Sequence, residues 1–287
     1  MEPTTPLQDQ LANISPLWIV LIVMAFTLVR LTLAKNKEQW ARTISETCDT
    51  VNFVLVLAFL LIRPFVAQAF YIPSESMERT LLVRDRLIVN KFGYRVSPPQ
   101  RGDVVVFEAP PQATGGQEGV DFIKRLIGMP GDTIRVTAAK LTINGTEIDP
   151  HVEAANLHDY LRNRLGLKEE DAIKITPDGL RVNGTETISK ERVAELLGQP
   201  GAKVTLTPGK TYLNGKVQDE PYTREDPNYD FPVDGSALQI PSGNYFMMGD
   251  NRNRSADSHM WGPLDKHRVV GRAVFVFWPP SRISVIH

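Results

Sequence analysis

The 287-residue chain has a single cysteine, Cys48, and its five histidines show no metal-ligating spacing of the HExxH kind. With no second thiol there is neither an internal disulfide nor a thiolate cluster, and no metal or cofactor site is expected. A thiol-free region after Cys48 can sit in an oxidising compartment. Basic excess is missing too: 32 Lys and Arg against 33 Asp and Glu leave a net charge of −1, so nucleic acid is not an expected partner.

What the chain does have is a strong asymmetry. Residues 17–29 read LWIVLIVMAFTLV and residues 51–62 read VNFVLVLAFLLI, whereas everything after about residue 71 is mixed and polar. A membrane span needs roughly 20 mostly apolar residues. With their flanks the two runs reach that length at about 14–34 and 51–70, with Arg30 placed to snorkel and FVAQAFY placed at the interface. The first sixteen residues hold Glu2 and Asp9 but no Lys or Arg, unlike a cleaved signal peptide. The intervening segment, 35–50, carries Lys35, Lys37 and Arg42, which places it in the cytoplasm and sends the N-terminus and the large C-terminal part outward. Residues 1–70 are therefore expected to be a membrane anchor, with the lipid bilayer as partner.

Beyond the anchor come short β-prone runs bounded by Gly, Pro, Asn or Asp: RLIVN (86–90), DVVVFE (103–108), FIKRLIGM (122–129), DTIRV (132–136), KLTING (140–145), KVTLT (203–207), KTYLNG (210–215), NYFMMG (244–249) and VGRAVFVFW (270–278). They predict a mainly β fold. The amphipathic helical signals, Val152–Leu165 and Ser189–Leu197, fall in one central block. That block contains a repeat. Residues 131–149 and 201–219 align without a gap, each with Asn-Gly at the same offset, and LRVNGTETI (180–188) is a partial third copy. Asn-Gly between β-prone runs signals a type I′ hairpin. The expected organisation is a β-rich catalytic core over 71–145 and 211–287, interrupted by an inserted α+β subdomain over 146–210.

For chemistry the richest stretch is Ile72-Pro73-Ser74-Glu75-Ser76-Met77. Proline favours extended backbone before it, and an extended run would put Ser74 and Ser76 on one face with Glu75 opposite. By itself the pattern also describes an ordinary solvated turn. A nucleophilic serine needs a base and oxyanion donors. In the Lys124-Arg125 pair only the lysine can lose its proton, and apolar burial beside Phe122 and Leu126 would lower its pKa. By itself the pair is equally a solvated edge of a strand. A third cluster, GDNRNRSADSHMWGP (249–263), reads as a structured polar loop.

Taken together, IPSESM followed by TLLVRDRLIVNKF, RGDVVVF, DFIKRLIGMPGDTI, YFMMGDNRNRSADSHMWGP and VGRA resembles the bacterial type I signal peptidase family, over about residues 51–143 and 210–278. The resemblance implies a membrane-anchored Ser–Lys endopeptidase of the inner membrane, with its catalytic domain extracytoplasmic. It would cleave signal peptides from exported preproteins after small residues, through an acyl-enzyme, with the export machinery as a further partner. Mapped by motif, Ser76 would be the nucleophile, Lys124 the general base, Ser74 a side-chain oxyanion donor, Ser255 the hydroxyl that orients the lysine, and Asp257 a carboxylate supporting that loop. His259 stands where the family commonly has arginine.

Overall fold

The computed structural model describes residues 16–34, 36, 38–58 and 66–287. Its N-terminal part is a helical hairpin, α1 (Pro16–Leu33) and α2 (Gln39–Leu55). Helix α2 runs through most of the expected cytoplasmic loop and starts well before the expected second span. The physical reason is amphipathicity: Ala41 and Cys48 are buried, Asn52 Nδ2 donates to Thr27 Oγ1 at 3.1 Å, and Arg30 pairs with Asp49 at 2.8 Å. Residues 59–65 of the expected second span lie outside the described residues, and Ala67–Phe70 form a strand instead. Among the described residues no helix is long and apolar enough to cross a membrane. The 18 residues of α1 reach about 27 Å at 1.5 Å each, just short of a hydrocarbon core of roughly 30 Å.

The rest is mainly β. The principal antiparallel sheet has eight strands, among them β1 (Ala67–Tyr71), β2 (Arg86–Asn90), β3 (Val104–Glu108) and β4 (Asp121–Gly128). Along the sheet the order is β1, β2, Val269–Trp278, β3, β4, Asn244–Met248 and Leu264–Asp265, with Ser284–Val285 paired to Val269–Trp278. Alternation buries two apolar clusters. Ile72, Met77, Leu87, Val89, Val104 and Val106 pack in one, and Val105, Phe107, Leu126, Tyr245, Met247 and Leu264 in the other.

The repeated sequences fold as repeated hairpins. Asn144-Gly145, Asn183-Gly184 and Asn214-Gly215 all have positive φ at both residues, between 50° and 85°, as a type I′ turn demands. The first and second copies exchange strands: β5 (Thr133–Thr137) pairs with Lys210–Leu213, and β6 (Lys140–Ile143) pairs with Val204–Thr207. The turn asparagines make the same bonds in each copy, Asn214 Oδ1 accepting from Thr133 N and Asn144 Oδ1 from Lys203 N, both at 2.9 Å. The third copy is longer than LRVNGTETI. It starts near Asp171, closes on itself by pairing Ile173–Thr176 with Gly179–Val182, and Asn183 Oδ1 accepts from Ala172 N at 2.9 Å. An apolar cluster reaching from Ala139 to Leu206 holds this part together. The expected helix at 152–165 is shorter, Leu157–Leu165, because Asn156 caps it by accepting from the Asp159 amide and Pro150–Val152 forms a separate 3-10 turn.

Candidate active site

Ser74 is extended (φ −133°, ψ 162°), but Glu75–Met77 wind into a 3-10 turn, so the expected extended run through Met77 is corrected. The turn forms because Met77 is drawn fully into the apolar cluster below it, and the Leu81 amide caps back onto the Met77 carbonyl at 2.8 Å. Ser74 Oγ and Ser76 Oγ still lie 3.4 Å apart. Glu75 is directed to Arg254, at 3.1 Å. Ser76 sits ahead of the first amide that this turn uses internally, and among the described residues its N–H enters no backbone hydrogen bond.

Strand β4 delivers Lys124 to this turn. Lys124 is 5% exposed, and its Nζ donates to Ser76 Oγ at 2.8 Å and to the Ile123 carbonyl at 2.9 Å, with the Phe122 ring 5.4 Å away. Burial lowers its pKa to about 8; the more distant Asp257 and Asp250 charges oppose the shift without reversing it. A lysine so placed is neutral in a far larger fraction near physiological pH than an exposed one, and in that form it can accept the proton of a hydroxyl it already touches. Its neighbour Arg125 is locked instead into a two-pronged pair with Asp250, at 2.9 and 2.8 Å.

The loop after Asn244–Met248 closes the site from the other side. A Cβ on Gly249 would lie 2.3 Å from Ser255 Oγ and 2.5 Å from the Ser76 carbonyl oxygen, so only glycine lets the loop come this close. The Asn251 amide donates to that same carbonyl at 3.1 Å. Ser255 is therefore beside the Ser76 turn, but its buried Oγ has no hydrogen-bond partner, and no bond joins it to Lys124 among the described residues. Asp257 is fully buried. Its carboxylate accepts from the Gly249 amide at 2.9 Å and from His259 Nδ1 at 2.7 Å, and the His259 ring stacks on Tyr229 with centroids 4.1 Å apart. His259 thus serves Asp257; it makes no contact with Ser76 among the described residues.

Several supporting groups were not picked out in the sequence: Gly249, Asn251, Glu78 and Arg224. Arg224 pairs with Glu78 two residues after Ser76, and also donates to the Glu169 carbonyl at 2.8 Å. Arg254 joins Glu75 to Glu169. The Ser76 turn is thereby flanked by two arginine struts that reach Glu169. Nothing in a linear pattern marks these pairs, although the run Gly249-Asp250-Asn251 lies within a motif already singled out.

The family model described as "Signal peptidase, peptidase S26" matches residues 44–193 and 189–278. The chain belongs to this signal peptidase family. Among relatives, "Probable signal peptidase I-2" of Synechocystis is 31% identical over 92% of this chain and 86% of its own length, and "Signal peptidase I" of Leptolyngbya laminosa is 32% identical over 83% and 82%. A solved signal peptidase I from Enterococcus faecalis covers 61% of this chain and 95% of its own, at 24% identity and a TM-score of 0.24, a likeness too slight to bear on the fold. Of the boxes quoted above, IPSESM carries the Ser76 turn, DFIKRLIG is β4, and GDNRNRSADSHMWGP is the loop that closes on both.

Proposed function

We propose that the chain is a Ser–Lys endopeptidase that removes signal peptides from exported preproteins, with Ser76 as nucleophile and Lys124 as general base. The observation that carries this is the 2.8 Å contact of Ser76 Oγ with a buried lysine whose pKa is lowered to about 8. Neutral Lys124 takes the Ser76 proton as Oγ attacks the scissile carbonyl carbon. The developing oxyanion is met by the Ser76 N–H and the Ser74 hydroxyl. The C–N bond then breaks, the leaving amine taking the proton back from Lys124, and a water deprotonated by the same lysine hydrolyses the acyl-enzyme. Ser255 and Asp257 shape the loop behind this dyad, and the buried, unpartnered Ser255 hydroxyl is the group assigned to orient the lysine amine.

The membrane belongs to the same reading. Helix α1 exposes Leu17, Trp18, Leu21, Met24, Leu28 and Leu31, more apolar surface than water favours, and lipid would cover it. With its flanking residues 14, 15 and 34 it has the length of a span. Of the expected second span at about 51–70, the apolar run 51–62 belongs to the same reading, and with α1 it would hold the β-rich region (71–145 and 211–287) and the 146–210 insertion at the outer face of the inner membrane, near the export machinery. Incubating detergent-solubilised protein with a labelled preprotein, beside its Ser76→Ala variant, tests the activity. Cleavage by wild type alone is expected; equal cleavage by the variant would overturn the assignment of Ser76.

A further inference from the structure

A cavity of about 510 Å³ opens beside the site, between the turn that follows Ser76 and the self-closed third hairpin. Four of its lining residues are cations: Arg79, Lys174, Arg181 and Arg224. Arg224 is answered by Glu78. Among the described residues the other three form no ion pair. Arg79 donates to the Thr223 carbonyl at 3.0 Å, and Lys174 donates to the Thr223 hydroxyl at 3.0 Å and the Glu220 carbonyl at 3.4 Å. Arg181 is in no ion pair among the described residues, and the second acid of the lining beside Glu78, Glu170, pairs with Lys168 at 3.8 Å. Burial lowers the pKa of Lys174; Asp226 and Glu220 oppose the shift, and the neighbouring guanidiniums of Arg79 and Arg252 add to it. Arg79 is moreover held at φ 91°, a backbone state that a non-glycine residue adopts at a cost and that clusters at ligand clamps.

We infer that this cavity is a subsite for an acidic side chain of the substrate, carried on the mature segment just beyond the scissile bond. The inference rests on the peptidase reading above. Arg79 follows Ser76 by three positions, at most about 10 Å of chain, and an extended substrate advances about 3.3 Å per residue. A carboxylate roughly three to six positions from the scissile bond therefore reaches the cavity. A signal peptide has a basic head, an apolar body and small residues at its end, so the acid has to come from the other side of the cut. Two guanidiniums and an ammonium around one space match a carboxylate.

The test uses the full-length protein in detergent and a preprotein series with Asp or Asn at roughly each of the first eight mature positions. At low salt, Asp at one or more of the reachable positions is expected to lower KM about fivefold relative to Asn. That ratio should fall to about one in Arg181→Gln and, separately, in Lys174→Met. Using the ratio keeps a general loss of folding or activity in either variant from imitating the effect. If wild type cleaves both series alike, or if the Asp preference survives in both variants, the subsite is overturned while the peptidase reading stands. If wild type cleaves neither series, both fall.

Discussion

The two faces of β4 differ in what they do with a buried cation. Lys124 and Arg125 are adjacent, 5% and 2% exposed, and both sit deep in the sheet. Arg125 is surrounded by acceptors: both Asp250 oxygens, the Gly102 and His287 carbonyls, and the Tyr222 ring 4.1 Å away. Among the described residues Lys124 has one hydroxyl, one carbonyl and the more distant Phe122 ring, and no carboxylate. A buried charge is tolerated when paired, and a buried lysine left without a carboxylate gives up its proton more easily. One face therefore fixes geometry and the other keeps a proton loosely held, as the base proposed above has to do.

The comparison breaks most sharply if the two cations are made alike. Lys124→Arg keeps the charge but cannot release a proton, and preprotein cleavage should fall at least about 1,000-fold, as in Lys124→Ala; substantial activity in Lys124→Arg would show that charge, not proton transfer, is what the position supplies. Stability should move the opposite way. Arg125→Met leaves Asp250 buried and unpaired and should cost about 3–5 kcal/mol, whereas Lys124→Met should change stability by less than about 1 kcal/mol, both read from urea midpoints at constant m. The proton itself is visible in the pH profile. Because the base works in its neutral form, kcat/KM should climb about tenfold per unit of pH up to about 8, the lowered lysine value, and then level off; a profile still rising steeply beyond pH 9 or so would mean that burial does not depress Lys124. The smallest effect lies far from β4. Asn183→Ala removes the acceptor for the Ala172 amide and disfavours a positive φ, costing about 1 kcal/mol of stability with kcat unchanged.

Much of this was legible in the sequence, and for identifiable reasons. Strand positions follow from alternation and punctuation, so the expected runs from 86–90 to 270–278 fall within a residue or two of the observed strands. Asn-Gly turns are readable because one dipeptide nearly determines the backbone. The choice of Lys124 over Arg125 needed only the chemistry of the two side chains, and the structure puts that lysine against Ser76. What was hidden depends on contacts distant along the chain. Ala67–Tyr71 looks like the end of an apolar helix and becomes a strand because β2 offers it a partner. The turn at Glu75–Met77 replaces an extended run because Met77 has a core to enter. Gly249 and Arg224 act through partners far away in sequence, which no local pattern encodes. Ser255 was named from the family motif alone, and its geometry, beside the turn yet unpartnered, came only with the structure.

The strand exchange between the first and second repeat copies has a consequence for how the chain assembles. Ile143 pairs with Val204, closing a loop of about 60 residues, whereas Ile175 pairs with Leu180 across a loop of only about four. Loop-closure entropy rises by about 0.6 kcal/mol per doubling, so the outer pairing starts about 2 kcal/mol behind the inner one. The self-closed copy is the local contact that forms early, and once formed it shortens the chain its enclosing copies must bring together. Assembly of this part therefore runs from the inside out, with the middle hairpin acting as a splint for the two that trade strands around it.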